Sequence, residues 1–81
     1  MNIDNLVTMA NQIGAFYETM PDRERAKADI AEHIKKFWEP RMRRAILAHL
    51  DEGEEPGASE VQLIPIVNQA LQTYRASLTP A

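Results

Sequence analysis

The apolar residues of this chain recur at helical spacing in four stretches. Leu6, Ala10, Ile13, Tyr17 and Met20 step by three and four residues, which places them on one face of a helix. Val7 and Gly14 widen that stripe. The spacing predicts a first helix from about Asp4 to Glu18, with Asp4 or Asn2 as its N-cap, because a short side-chain acceptor there satisfies an orphan backbone N–H. Pro21 and Asp22 end this segment and open a second helix, from about Asp22 to Trp38, whose apolar face is Ala26, Ile30, Ile34, Phe37 and Trp38. On its opposite face Arg25 with Asp29, and Glu32 with Lys36, form i,i+4 pairs worth a few tenths of a kcal/mol each.

Glu39 precedes a proline and is biased away from the helical region, which marks a boundary or a kink. Pro40 suits the first position of a third helix ending near Leu50, with Met42, Ile46, Leu47 and Leu50 facing inward. Alternatively, the second and third helices run through Pro40 as one kinked rod, with Glu39 and Arg43 an ordinary i,i+4 pair. A last helix is expected from near Pro65, carrying Val67, Leu71, Tyr74 and Leu78. Before it lies an acidic loop, about residues 51–62, which holds two glycines and a proline and reads as a mobile connector. No strand alternation and no internal repeat occur. The fold class expected is all-α, a small bundle of about four short helices forming one domain over residues 1–81.

Composition narrows the function. At 81 residues the chain lies near the size where a lone core barely offsets chain entropy. It has no cysteine, so disulfides, thiolate metal sites and a cysteine nucleophile are excluded. The net charge of −3 argues against nucleic acid, whose ligands normally carry a basic surplus. The N-terminal residues lack a signal-peptide pattern, and no apolar run approaches the ~18 to 20 residues that span a bilayer. A cytoplasmic chain without membrane insertion is expected.

Candidate chemistry is sparse. Neither His33 nor His49 has a second histidine at i,i+3 or i,i+4 to start a metal site, and both are expected on helix surfaces or flanks. Ser59 and Ser77 lack a nucleophile-elbow context, and Gly14, Gly53 and Gly57 are too scattered to cradle a phosphate. Most carboxylates fall in the acidic loop, away from any burial that would tune them for proton transfer. The expectation is therefore no enzyme, no cofactor and no metal.

Two other segments stand out. Asn11-Gln12 is followed by Gly14 inside the first helix, where glycine costs roughly 1 kcal/mol against alanine and usually marks a close approach of another backbone. That approach is either a crossing within the domain or a contact with a partner. Phe37-Trp38-Glu39-Pro40-Arg41-Met42-Arg43-Arg44 combines the residue types enriched at protein interfaces, although Phe37 and Trp38 also suit a core. If a helix starts at Pro40, its arginines sit at the positive end of its dipole and Asp51 and Glu52 at the negative end. Each mismatch costs about 0.3–1 kcal/mol, which suggests that these charges serve something other than their own helix.

Leu6 to Phe16 (LVTMANQIGAF) and Ile34 to Arg43 (IKKFWEPRMR) resemble the signature segments of the delta subunit of NAD-dependent, molybdenum-containing formate dehydrogenases. His49-Leu50-Asp51 and the Leu63-to-Leu71 segment around Pro65 fit in order, so the resemblance covers nearly the whole chain. It implies a non-catalytic accessory subunit that docks on the complex and stabilises it or assists its assembly. The implied partners are a larger catalytic alpha subunit, holding a molybdenum bis-pterin guanine dinucleotide and iron–sulfur clusters, and a flavin-bearing beta subunit. By the same resemblance, partner contact is expected at Asn11, Gln12, Gly14, Phe37, Trp38, Pro40, Arg41 and Arg43. The alternatives are a transient maturation chaperone for the catalytic subunit, or a small regulator binding through the basic stretch from Lys35 to Arg44.

Overall fold

Each helix begins where a residue fixes the chain outside the helical region. Asn2 does so first, its side-chain oxygen accepting the backbone N–H of Asp4 at 2.8 Å. Asp22 repeats the device with the N–H of Arg25 at 3.1 Å. Pro40 and Pro65 open the next two helices at the first position, each after an extended residue and each lacking only an N–H that would have had no helical acceptor. The computed structural model, which describes residues 2–52 and 61–81, accordingly contains α1 (Ile3–Tyr17), α2 (Arg23–Phe37), α3 (Pro40–Asp51), α4 (Pro65–Thr73) and α5 (Arg75–Leu78).

This is the all-α bundle that the spacing predicts, with the last helix divided. Tyr74, at φ −106° and ψ 21°, sits in the bridge region and separates α4 from the single turn of α5. The boundary at Glu39 is a true break rather than a kinked rod: Trp38 and Glu39 are both extended. One expected boundary shifts. Asp51 closes α3 instead of opening the acidic loop, because its carboxylate pairs with Arg75 at the start of α5. Residues 53–60 of that loop lie outside the described residues.

Helix α2 is the centre of the packing, lying against α1, α4 and α5, while α1 also crosses α3 and α4. Val7, Ala10, Ala26, Ile30, Ile34, Ile46, Val67 and Leu71 are fully buried, as their stripes predict. The thinnest Cα extent is 17 Å, room for two helix layers at the usual 8–10 Å spacing. Every helix therefore keeps one face open to solvent.

The crossing of α1 on α4 explains the glycine of the first helix. A Cβ on Gly14 would overlap Val67 Cγ2 and fall 3.0 Å from Ile64 Cδ1, so only hydrogen fits. One turn earlier, Asn11 fastens the segment leading into α4. Its Oδ1 accepts the N–H of Ile64 at 2.9 Å, and its Nδ2 donates to the carbonyl of Gln62 at 2.8 Å. The close approach expected at Gly14 is present within the chain, at the α1–α4 crossing.

Two side chains depart from expectation. Phe37, placed on the inward face of the second helix, is 71% exposed. Its ring meets that of His33, which Tyr17 also meets, and no ring of the core covers it. His49, expected on a flank, is 4% exposed, with no hydrogen-bond partner for Nε2.

Three substitutions test these contacts by chemical or thermal denaturation. Gly14→Ala removes a helix-propensity cost of about 1 kcal/mol but overpacks the crossing by about 1–3 kcal/mol. A net loss of stability is expected, and a net gain would refute the close approach. Asn11→Ala strands the Ile64 N–H and is expected to cost about 1–3 kcal/mol, with Asn11→Asp, which keeps the acceptor, falling between it and wild type. His49→Leu removes an unsatisfied buried nitrogen and is expected to raise stability by about 1 kcal/mol.

Candidate docking surface

The aromatic side chains of α1 and α2 that do not enter the core meet outside it. Phe16 follows Ile13 by three residues and precedes Tyr17 by one, so it points about 100° away from the Tyr17 direction and is 72% exposed. Its ring meets Tyr17 edge-on, with centroids 5.1 Å apart and planes at 87°. Tyr17 in turn lies 6.4 Å from the imidazole of His33, and His33 lies 4.8 Å from Phe37. Phe16 and Phe37 are thus the two exposed ends of one line of rings that crosses from α1 to α2. Met9, 40% exposed, lies two turns before Phe16 on the same side of α1.

Charged residues border this line. Between Tyr17 and Phe37 a shallow open cleft is edged by Asp29, Glu32 and Lys36. Asp29 pairs with Arg25 at 3.4 Å and Glu32 with Lys36 at 3.0 Å, the two i,i+4 pairs expected from the sequence. Both are solvent-accessible and add little to stability. Among the described residues, no three His, Asp or Glu side chains converge as a metal-ligand group. No helix of the described residues is long and apolar enough to cross a membrane.

The residues marked for partner contact in the sequence divide between interior and surface. Asn11 and Gly14 build the α1–α4 crossing, and Trp38, 5% exposed, is part of the core. Arg43 is half-buried, and its Nη1 donates to the carbonyl of Lys35 at 2.8 Å. The guanidinium thereby caps the C-terminal, negative end of α2. Its charge opposes the dipole of α3 but suits that of the neighbouring helix. Asp51, at the wrong end of α3 for an anion, has a similar answer in Arg75. Gln12, Phe37, Pro40 and Arg41 remain exposed.

Sequence reasoning did not single out Phe16 as a contact residue. The signal was present: Phe16 and Met9 are large apolar residues lying off the Leu6–Ala10–Ile13–Tyr17 stripe. Such side chains on a soluble helix have no core to enter, and when they cluster they mark interaction sites.

No curated protein and no solved structure matches this chain at a significant level. A family model does match, that of the NADH-dependent formate dehydrogenase delta subunit FdsD, over residues 5–71. The match runs from the first turns of α1 almost to the end of α4 and takes in both Phe16 and Phe37. With most of its length covered, the chain belongs to the formate dehydrogenase delta-subunit family.

Proposed function

We propose that this chain is a non-catalytic accessory subunit that docks on a larger protein of a formate dehydrogenase complex, with the Phe16–Tyr17–His33–Phe37 line as its apolar contact. The observation that carries this reading is the joint exposure of Phe16 and Phe37, at 72% and 71%, in a chain whose other aromatic rings are buried or half-buried. Full burial of a phenylalanine ring against a partner is worth about 1.5–3 kcal/mol. Two such anchors in one patch match the pattern of a few aromatic hot spots supporting a contact. Gln12, Pro40 and Arg41 are exposed and complete the surface. Asn11, Gly14, Trp38 and Arg43 support it from within, by holding the helices that present it.

Membership of the delta-subunit family supports a formate dehydrogenase complex as the partner. The docking would stabilise the complex or assist its assembly.

The experiment is co-purification of the tagged chain with the formate dehydrogenase subunits, comparing wild type with the double substitution Phe16→Ser/Phe37→Ser. Both positions are exposed, so the variant is expected to keep its helical circular dichroism and melting temperature while recovery of the complex falls at least about tenfold, as loss of two anchors implies. Recovery equal to wild type would refute the aromatic docking surface. The amount recovered per catalytic chain separates a resident subunit from a transient chaperone, since only the former stays near one to one in the mature enzyme.

A further inference from the structure

Seven of the nine lysines and arginines of the chain are engaged within it. Arg23 reaches Glu18 and Gln69; Arg25, Lys27, Lys36 and Arg75 pair with Asp29, Glu24, Glu32 and Asp51. Lys35 bonds Ser77 Oγ and Arg43 bonds the Lys35 carbonyl. The remaining two, Arg41 and Arg44, are exposed and have no hydrogen-bond or ion-pair partner among the described residues. They are three residues apart on α3, so they share one face, and that face begins four residues after Phe37.

Their position is unfavourable in the chain by itself. The first turns of α3 form the positive end of its dipole. That helix has no acidic residue in its first turn, and the side chain of Glu39 does not cap it. Two guanidinium groups and the unneutralised N-terminus of a 12-residue helix therefore follow, within seven residues of the chain, the exposed phenylalanine that ends α2. Guanidinium forks match carboxylates in geometry as well as charge. A phosphate backbone fits this stretch less well, because Glu39 lies within it and the chain as a whole carries −3.

We infer that the corner formed by Phe37, Arg41 and Arg44 recognises an acidic face of a partner protein, whose carboxylates meet the two arginines beside an apolar hollow that takes the Phe37 ring. The inference rests on the reading of the chain as a docking subunit and adds the charge of the face it docks on. It also divides the labour within the surface. The arginines steer the encounter and raise the association rate, whereas the phenylalanines hold the complex and slow its dissociation.

The test is a kinetic binding measurement with the formate dehydrogenase complex stripped of this chain and immobilised, run at low and at high salt. Arg41→Glu/Arg44→Glu places anions at a helix N-terminus, so the variant should melt no lower than wild type. It is expected to lower the association rate about tenfold or more at low salt and to flatten its salt dependence. Phe16→Ser/Phe37→Ser is expected to speed dissociation and leave the salt dependence intact. If the arginine variant binds with wild-type rates and salt dependence while the phenylalanine variant fails, the acidic face is overturned and the docking reading stands. If neither variant alters binding, or the wild-type chain does not bind the stripped complex, both are overturned. Salt-dependent capture of a single- or double-stranded oligonucleotide, abolished by the arginine variant, would assign the corner to nucleic acid and overturn the inference.

Discussion

Where α1 crosses α4, the backbone of one helix meets the side chains of the other with only a hydrogen atom between them, and the central helix α2 packs against both. Gly14 allows the approach to Val67 and Ile64. Asn11, one turn earlier, supplies both a donor and an acceptor to the chain entering α4, so that backbone is satisfied although it is neither helix nor strand. Helix α2 packs on both helices, so the α1–α4 contact and α2 enclose one core. A domain of this size has few alternatives. Without cysteine, and with 81 residues, it has no covalent staple and a core near the lower limit for independent folding. Close helix approach then adds dispersion contacts that a longer chain could obtain by adding another layer.

That economy sharpens the contrast between the interior and the patch outside it. Most aliphatic residues of the α1, α2 and α4 stripes are buried, with Ile13 half-covered, and most cations have a partner at hand. Phe16 and Phe37 lie outside this order, as do Arg41 and Arg44. All four fall within the stretch covered by the family model. The pattern is that of a surface left incomplete in one place, in the chemical types that protein interfaces favour.

The helices were legible because their signals are local. Three- and four-residue spacing identified the buried faces, Asn2 and Asp22 are short acceptors at N-cap positions, and Pro40 and Pro65 start helices that cannot begin earlier. The glycine at position 14 could be marked as a site of close approach, but only the fold could say to what. The tertiary details were hidden for identifiable reasons. Phe37 and Trp38 are adjacent aromatics at a helix end, and which one is covered is decided by helices distant in sequence. Arg43 looked like a charge without a purpose because its acceptor is the Lys35 carbonyl, and backbone acceptors leave no trace in side-chain pairing patterns. His49 sits among alanine and leucine on α3, where nothing in the local sequence distinguishes an inward imidazole from an outward one. The break at Tyr74 carries no proline or glycine to announce it.

The bond from Arg43 to the Lys35 carbonyl has a further consequence. It spans the corner between α2 and α3, tying the last turn of one helix to the first turn of the next across the two extended residues Trp38 and Glu39. Trp38 is anchored in the core beneath that corner. Phe37 and the arginines of α3 are therefore presented from a braced elbow rather than a hinge, and the Phe37 ring is further restrained by stacking on His33. Ordering such an elbow during association forfeits little conformational entropy, since most of the freedom was already lost when the chain folded. A small surface can then hold a partner more firmly than its area alone would indicate.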